Sequence, residues 1–294
     1  MPTENREIKS TVFADLFGAD ELVGKRNFLS LYNALHGTHL EPECTRIERR
    51  EIPQAVYRSI SSDVSMLVGG SLIVLAEHQS TPNENMPLRF LEYYVHLLNG
   101  IVPRDARYRK RLYRIPAPEF YVFYNGTAPA ERERVMRLSD AFMGERRRPV
   151  CEAEVRFMNI GGSCGGGKLP IVESCGILGE YCRFMEIVAR HRAAHGSGTE
   201  CSYLGAIREA VSEGVLVEYL ERKSTEVINM FMSEYSYADD LRVQREEARE
   251  EGREQKALED AQSFLANGVP AEVVARSLGM DVAAVEALAA KDMA

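Results

Sequence analysis

The chain has 294 residues, 45% of them hydrophobic and 27% charged, with a formal net charge of −8. That is enough apolar material for a sizeable core in one or two domains, and no apolar run approaches the ~20 residues that a membrane span needs. The acidic balance disfavours broad nucleic-acid binding, which draws on cations to neutralise phosphates. The six cysteines have neither C-x-x-C nor zinc-finger spacing, which argues against a zinc module and for free thiols.

The opening MPTENREIKS is polar and mixed in charge, unlike a secretory signal, so the expected location is the cytoplasm and no membrane partner is expected. Residues 11–36 carry apolar side chains at helical spacing with a break at Gly18. The pattern predicts two short helices, packing through Phe13, Leu16 and Phe17 and then through Phe28, Leu29, Leu31, Tyr32 and Leu35. Asp63–Val68 and Ser71–Ala76 are apolar runs around Gly69-Gly70, which predicts a β-hairpin. Leu88–Leu98 reads as a helix with Leu88, Leu91, Val95 and Leu98 on its buried stripe and Arg89, Tyr93 and His96 off it. Glu119–Tyr124, closed by Asn125-Gly126, is a third strand, and Val155–Ile160 a fourth. From Ile177 to about Tyr237 the pattern is helical; 241–262 is a charged helix or linker, and short helices follow. This order predicts an α/β protein with a mixed sheet.

Charge is uneven along the chain. Between Arg104 and Arg148 there are twelve Lys or Arg and six Asp or Glu, a net +6 against −14 elsewhere. Such a segment is either a solvated surface or a phosphate-tracking face.

The segment with chemical content is Asp63 to Thr81. A long apolar strand ends abruptly in Glu77-His78-Gln79. Glu77 and Gln79 are two apart and share a strand face, while His78 points to the other. Asp63 begins the partner strand. Two carboxylates can hold a hard cation through oxygen, and such a cation polarises a phosphate and activates water. Register decides whether they meet. A two-residue Gly69-Gly70 loop gives pairs summing to 139, so that Asp63 faces Ala76 and the carboxylates separate. A three-residue loop or a bulge gives pairs summing to 140 and sets Asp63 opposite Glu77.

The residues Asp63, Glu77-His78-Gln79-Ser80-Thr81, Asn83, Asn85-Met86-Pro87-Leu88-Arg89, Leu91 and Tyr93 carry a resemblance. So do Phe13–Phe17, Asn33-Ala34-Leu35, Pro118-Glu119-Phe120, Tyr124-Asn125-Gly126, Leu138–Phe142, Leu178, Tyr181 and the Glu-rich run at 246–252. Together they resemble the Rpn family of recombination-promoting nucleases, also called putative transposases, within the PD-(D/E)XK superfamily. The resemblance implies a restriction-endonuclease-like mixed sheet flanked by helices, with a helical C-terminal extension. It implies a nuclease core over 1–160, a helical extension over 161–240, and a charged helix with a small helical tail over 241–294.

It further implies a divalent-metal-dependent DNA endonuclease linked to recombination or mobile elements, using Mg²⁺ (or Mn²⁺ or Ca²⁺). Asp63, Glu77 and Gln79 would be catalytic, and Asp63, Glu77 and the carbonyl of His78 would be metal ligands. Arg89, Tyr93, Arg107, Arg109, Lys110 and Arg111 are candidate DNA contacts, and Asp15 is the candidate acidic residue from the first helix. Gln79 stands where the superfamily usually has Lys, and an amide can orient water or phosphate but cannot act as a base. DNA and a second copy of the chain are the expected partners. The alternative is a nuclease-fold protein with a weak or inactive site, acting as a DNA- or protein-binding regulator.

Gly162–Lys168 satisfies G-x-x-x-x-G-K, but Leu169-Pro170 follows where a P-loop needs Ser or Thr, so it reads as a flexible loop. The tail 275–285 has helix-turn-helix spacing, yet Val282–Ala290 offers no side chain to read a base, and a packing or assembly unit is expected.

Overall fold

The computed structural model describes residues 11–19, 21–50, 63–69, 72–79, 83–126, 129–143, 150–161, 169–195, 199–281, 284, 285 and 288; at 63, 72–79 and most of 233–254 it describes the backbone alone. The chain is a mixed α/β protein that divides into two compact units, Met1–Ser233 and Glu234–Ala294. No helix among the described residues is long and apolar enough to cross a membrane.

The first unit is built on a six-stranded sheet of order β1-β2-β3-β4-β6-β5. Its strands are β1 Ile47–Arg49, β2 Asp63–Val68, β3 Leu72–Gln79, β4 Ala117–Tyr124, β5 Glu133–Arg137 and β6 Glu154–Asn159. β3, β4 and β6 are mutually parallel, while β1–β2, β2–β3 and β5–β6 pair antiparallel. The inner ends of β4 and β6, Phe120–Tyr124 and Phe157–Met158, are apolar and buried on both faces, as strands covered on both sides are. The short edges, Ile47-Glu48-Arg49 and Glu133–Arg137, are charged, which suits edges that must not pair with another chain.

α1 (Val12–Gly18) is capped by Thr11, whose hydroxyl accepts the Ala14 N–H at 3.1 Å. α2 (Leu22–His36) ends at Gly37 in the left-handed region, φ 63°. Gly24 sits in the corner between these two helices; a Cβ there would fall 2.3 Å from the Ala19 carbonyl oxygen, so the close approach requires glycine. α4 (Pro170–Ser174), α5 (Gly176–His195), α6 (Glu200–Ser212) and the start of α7 (Val217–Ala266) complete this helical layer. It packs on the sheet face that carries Val64, Met66, Val68, Tyr121 and Phe123. Phe13 is the hub, its ring 4.7 Å from Phe17, 5.6 Å from Phe123 and 5.5 Å from Tyr181.

Among the described residues the opposite face is covered by one helix, α3 (Met86–Ile101), the crossover between β3 and β4. Its buried residues are Met86, Pro87, Phe90, Tyr93 and Leu97, and the Phe90 ring stacks on Phe120 at 5.2 Å. The expected stripe was different: Leu88 is 56% and Val95 49% exposed, whereas Tyr93 is fully buried. Both stripes have helical spacing. The aromatic one wins because Phe90 and Tyr93 bury far more apolar area against the sheet than Leu88 and Val95 would.

In the second unit the end of α7, the helix α8 (Ala271–Leu278) and residues beyond Gly279 bury Ala261, Val274, Ala275 and Val285 together. Gly279, φ 68°, caps α8 by donating to the Ala275 carbonyl. The helix-turn-helix spacing of the tail is thus the spacing of a small apolar core. Five described cysteines are free thiols, of which Cys175 and Cys182 are buried. The glycine-rich segment 162–168 lies outside the described residues.

Candidate functional site

The register of the β2–β3 hairpin sets which residues stand opposite one another. Val68 pairs with Leu72 and Asp63 with Glu77, so pairs sum to 140 and three residues, 69–71, separate the strands. Gly69 opens this turn at φ 64°, a conformation that favours glycine, and its N–H donates to the Arg46 carbonyl at 2.7 Å. The register with one residue fewer would have set Asp63 against Ala76. Directly opposed residues of an antiparallel pair have Cα atoms about 5 Å apart, close enough for two carboxylates on one face to share a small cation. Asp63 and Glu77 therefore suit a hard divalent ion by position and by chemistry. The side chains of Asp63, Glu77, His78 and Gln79 lie outside the described residues; their strand positions are what is described.

β3 extends three residues past the apolar run, through Glu77, His78 and Gln79. By alternation Asp63, Glu77 and Gln79 share a face and His78 takes the other. Parallel pairing carries this face across the sheet: Glu77 stands beside Val122, which stands beside Phe157; Gln79 stands beside Tyr124, which stands beside Asn159. Val122, Tyr124 and Phe157 all belong to the core under α3, so this is the α3 face. It is also the carboxyl end of the parallel strands, where α/β sheets commonly bind ligands. The amino end of α3 follows β3 directly and adds its partial positive charge there.

Arg89 and Tyr93 lie one turn apart on α3. The Arg89 guanidinium donates to the Tyr93 hydroxyl and sits over its ring, 5.2 Å from the centroid. Tyr93 is a core residue holding Arg89 in place, which corrects its assignment as a DNA contact; Arg89 is half-buried. Across the end of the sheet, Arg134 donates to Glu84 at 2.6 Å and lies 5.1 Å over the Phe157 ring.

Arg107, Arg109, Lys110 and Arg111 do not join this group. They follow the far end of α3, where Arg107 bonds Asn99 and Arg109 bonds Asp105 at 2.7 Å, all on exposed surface. The 16 residues of α3 at 1.5 Å each put that end about 24 Å from its start. The basic run is contiguous in sequence, but the crossover helix carries its first half to the opposite end of the strands.

Asp15 is also elsewhere. It lies on α1, over the opposite sheet face, where Lys223 donates to both carboxylate oxygens at 2.9 Å and the Tyr219 hydroxyl to one at 2.9 Å. Lys223 is the non-helical residue inside α7, at φ −122° and ψ 24°. Burial, reinforced by the Asp15 charge, holds the Tyr219 hydroxyl protonated far above its ordinary range. On the same face His36 bonds Glu119 at 2.7 Å and the Tyr121 hydroxyl donates to Glu119 at 2.5 Å. Among the described residues no group of three or more His, Cys, Asp or Glu side chains could hold a metal.

Sequence reasoning missed Asn159. It ends β6, and it is buried at 3% exposure where Glu154 and Arg156 of the same strand are exposed. Comparison with protein-family models, curated proteins and solved structures finds no match to this chain.

Proposed function

We propose that this chain is a divalent-metal-dependent DNA endonuclease of the Rpn type, with a restriction-endonuclease-like sheet as its catalytic scaffold. The observation that carries the reading is the hairpin register: Asp63 opposite Glu77, with Gln79 on the same face at the carboxyl end of β3. Asp63, Glu77 and the His78 carbonyl would hold the cation. Bound there, a Mg²⁺ or Mn²⁺ ion supplies charge neutralisation at the phosphate and activation of the attacking water. Gln79 orients that water or a phosphate oxygen through its amide; it neither takes nor gives a proton. Arg89, held by Tyr93, offers a guanidinium to a phosphate near the amino end of α3. Pairing of two copies would present one site to each DNA strand, linking the activity to recombination or mobile elements.

A second reading rests on Gln79 itself. With an amide in place of the superfamily's Lys, the fold could serve a DNA- or protein-binding regulator with a weak or inactive site. One experiment separates the two: plasmid nicking in Mg²⁺ and in Mn²⁺ by the wild type, Asp63→Ala and Glu77→Ala. The nuclease reading expects each variant to lose at least about a hundredfold, since even outer-sphere partners of a metal are felt on that scale. Absence of nicking in either metal, or equal nicking by the variants, overturns it and leaves the regulator.

A further inference from the structure

The segment that joins α3 to β4 is densely positive and lies outside the core. From Arg104 to Arg114 there are six Lys or Arg and one carboxylate, Asp105, in a chain of net charge −8. Residues 107–115 are exposed without interruption. The stretch is nonetheless held at fixed points. Ala106 is buried, the Arg109 N–H donates to the Ala106 carbonyl at 3.3 Å, and the Tyr94 hydroxyl of α3 donates to the Pro116 carbonyl at 2.7 Å. After a single 3₁₀ turn, Arg104–Tyr108, the chain forms neither helix nor strand until β4 begins.

Two kinds of side chain on this segment are left without partners. Elsewhere arginines meet carboxylates: Arg134 meets Glu84, Arg137 meets Glu154 and Arg183 meets Glu213. Within the segment Arg107 bonds Asn99 and Arg109 bonds Asp105. The side chains of Arg104, Lys110, Arg111 and Arg114 make no hydrogen bond or ion pair among the described residues. The apolar groups between them are equally open, with Tyr108 88% and Leu112 87% exposed. One exposed apolar side chain is ordinary; an open ring and an open leucine interleaved with unpaired cations are the composition of a surface for a polyanion. The chemistry selects which one. All but one of the six cations are Arg, whose planar fork takes two phosphate oxygens at once, where Lys is a point charge. A bilayer surface is entered by an amphipathic helix, and residues 109–116 form none. A duplex hides the faces of its bases, whereas a single strand presents them to a ring as open as Tyr108.

We propose that residues 104–114 form a binding surface for single-stranded nucleic acid, with Arg104, Lys110, Arg111 and Arg114 on its phosphates and a base stacked on Tyr108. The surface follows the far end of α3, about 24 Å along that helix from the end that follows Gln79. It is therefore separate from the Asp63–Glu77 site and does not rest on the nuclease reading. Because it grips backbone charge and the flat face of a base, it holds strands without regard to their sequence.

The test uses the full chain and fluorescein-labelled oligothymidylate in EDTA, with anisotropy followed across a KCl series. The triple variant Lys110→Gln, Arg111→Gln, Arg114→Gln is expected to lower the slope of log affinity against log salt by about two, at about 0.7 for each phosphate contact on a single strand. Tyr108→Ala is expected to weaken binding about tenfold with the slope unchanged, and Tyr108→Phe, which keeps the ring, to bind as the wild type does. All four side chains are exposed, so thermal midpoints are expected to stay at the wild-type value. Should the triple variant unfold, Arg111→Gln alone carries the test, with a slope lowered by about 0.7. No binding by the wild type, a wild-type slope in the charge variants, or full affinity in Tyr108→Ala overturns the proposal. So does binding to phosphatidylserine vesicles but not to the oligonucleotide, which would make the occupant an anionic bilayer. Plasmid nicking by the Asp63 and Glu77 variants reads a different end of the sheet and needs a metal, so this surface and the nuclease reading can each fail without the other.

Discussion

The two faces of the sheet treat their polar groups differently. Over the face bearing Val64, Met66, Tyr121 and Phe123, charged residues are tied to partners inside the protein: Asp15 to Lys223 and Tyr219, Glu119 to His36 and Tyr121. Over the other face one helix suffices for the apolar core, and polar residues gather at a single end of the strands, where Asp63 opposes Glu77 and Asn159 keeps an unmet donor. One face is scaffold, its charges spent on holding helices to the sheet. The other carries the opposed strand positions of Asp63 and Glu77 and, on α3, the Arg89–Tyr93 contact.

The largest effect that can break this comparison is on the scaffold face. Phe13→Ala removes a fully buried ring that touches Phe17, Phe123 and Tyr181, and is expected to lower unfolding free energy by about 3–5 kcal/mol. Leu88→Ala on α3, a position 56% exposed, is expected to change it by no more than about 0.5 kcal/mol. Denaturant titration of both compares the two faces directly, and a large loss at Leu88 would restore the stripe that spacing alone suggests.

Asp15→Ala comes next. It strips the Lys223 ammonium and the Tyr219 hydroxyl of their shared acceptor, at about 1.5–3 kcal/mol. Nicking per folded molecule is expected to be unchanged. A variant of native stability that has lost activity would instead put Asp15 in the active site and erase the division between the faces.

The smallest effect is pH-dependent and belongs to the α5–α6 contact of the scaffold layer. His191, with Arg190 beside it, holds the Glu209 carboxyl below its usual range. A carboxylate held low in the folded chain stabilises it fully above the ordinary carboxylate range. That contribution drains as pH falls through the folded value. Thermal midpoints of the wild type are expected to lose less between neutral and acid pH once Glu209→Gln removes the titrating group; an identical acid profile would show that this pair does not hold α5 to α6.

Much of the frame was legible in the sequence because it rests on local pattern. Gly18 parts α1 from α2, and the β2–β3 hairpin and α3 fall where their apolar runs place them. What escaped depends on contacts between distant residues. β1 and β5 are charged, short segments that become strands only by pairing with β2 and β6. The buried stripe of α3 was chosen by the shape of the sheet beneath it, and spacing alone could not choose between two helical stripes. Arg107, Arg109, Lys110 and Arg111 were expected beside the site as DNA contacts, but they follow the far end of the α3 crossover, whose length is visible in sequence but whose direction is not.

The three-residue turn at Gly69 has a consequence for how this gene can change. Because side chains alternate along a strand, every position of β2 is an odd–even bet on the length of that turn. A slip of the two strands by one residue, to pairs summing to 139, would set Ala76 in place of Glu77 opposite Asp63 while leaving each strand's composition untouched. A slip of two would return Asp63 to the face of Glu77 but no longer opposite it. A change in this loop is thus harmless to the opposed pair when the turn absorbs it, and turns Asp63 away from the face of Glu77 when the strands slip by one residue instead.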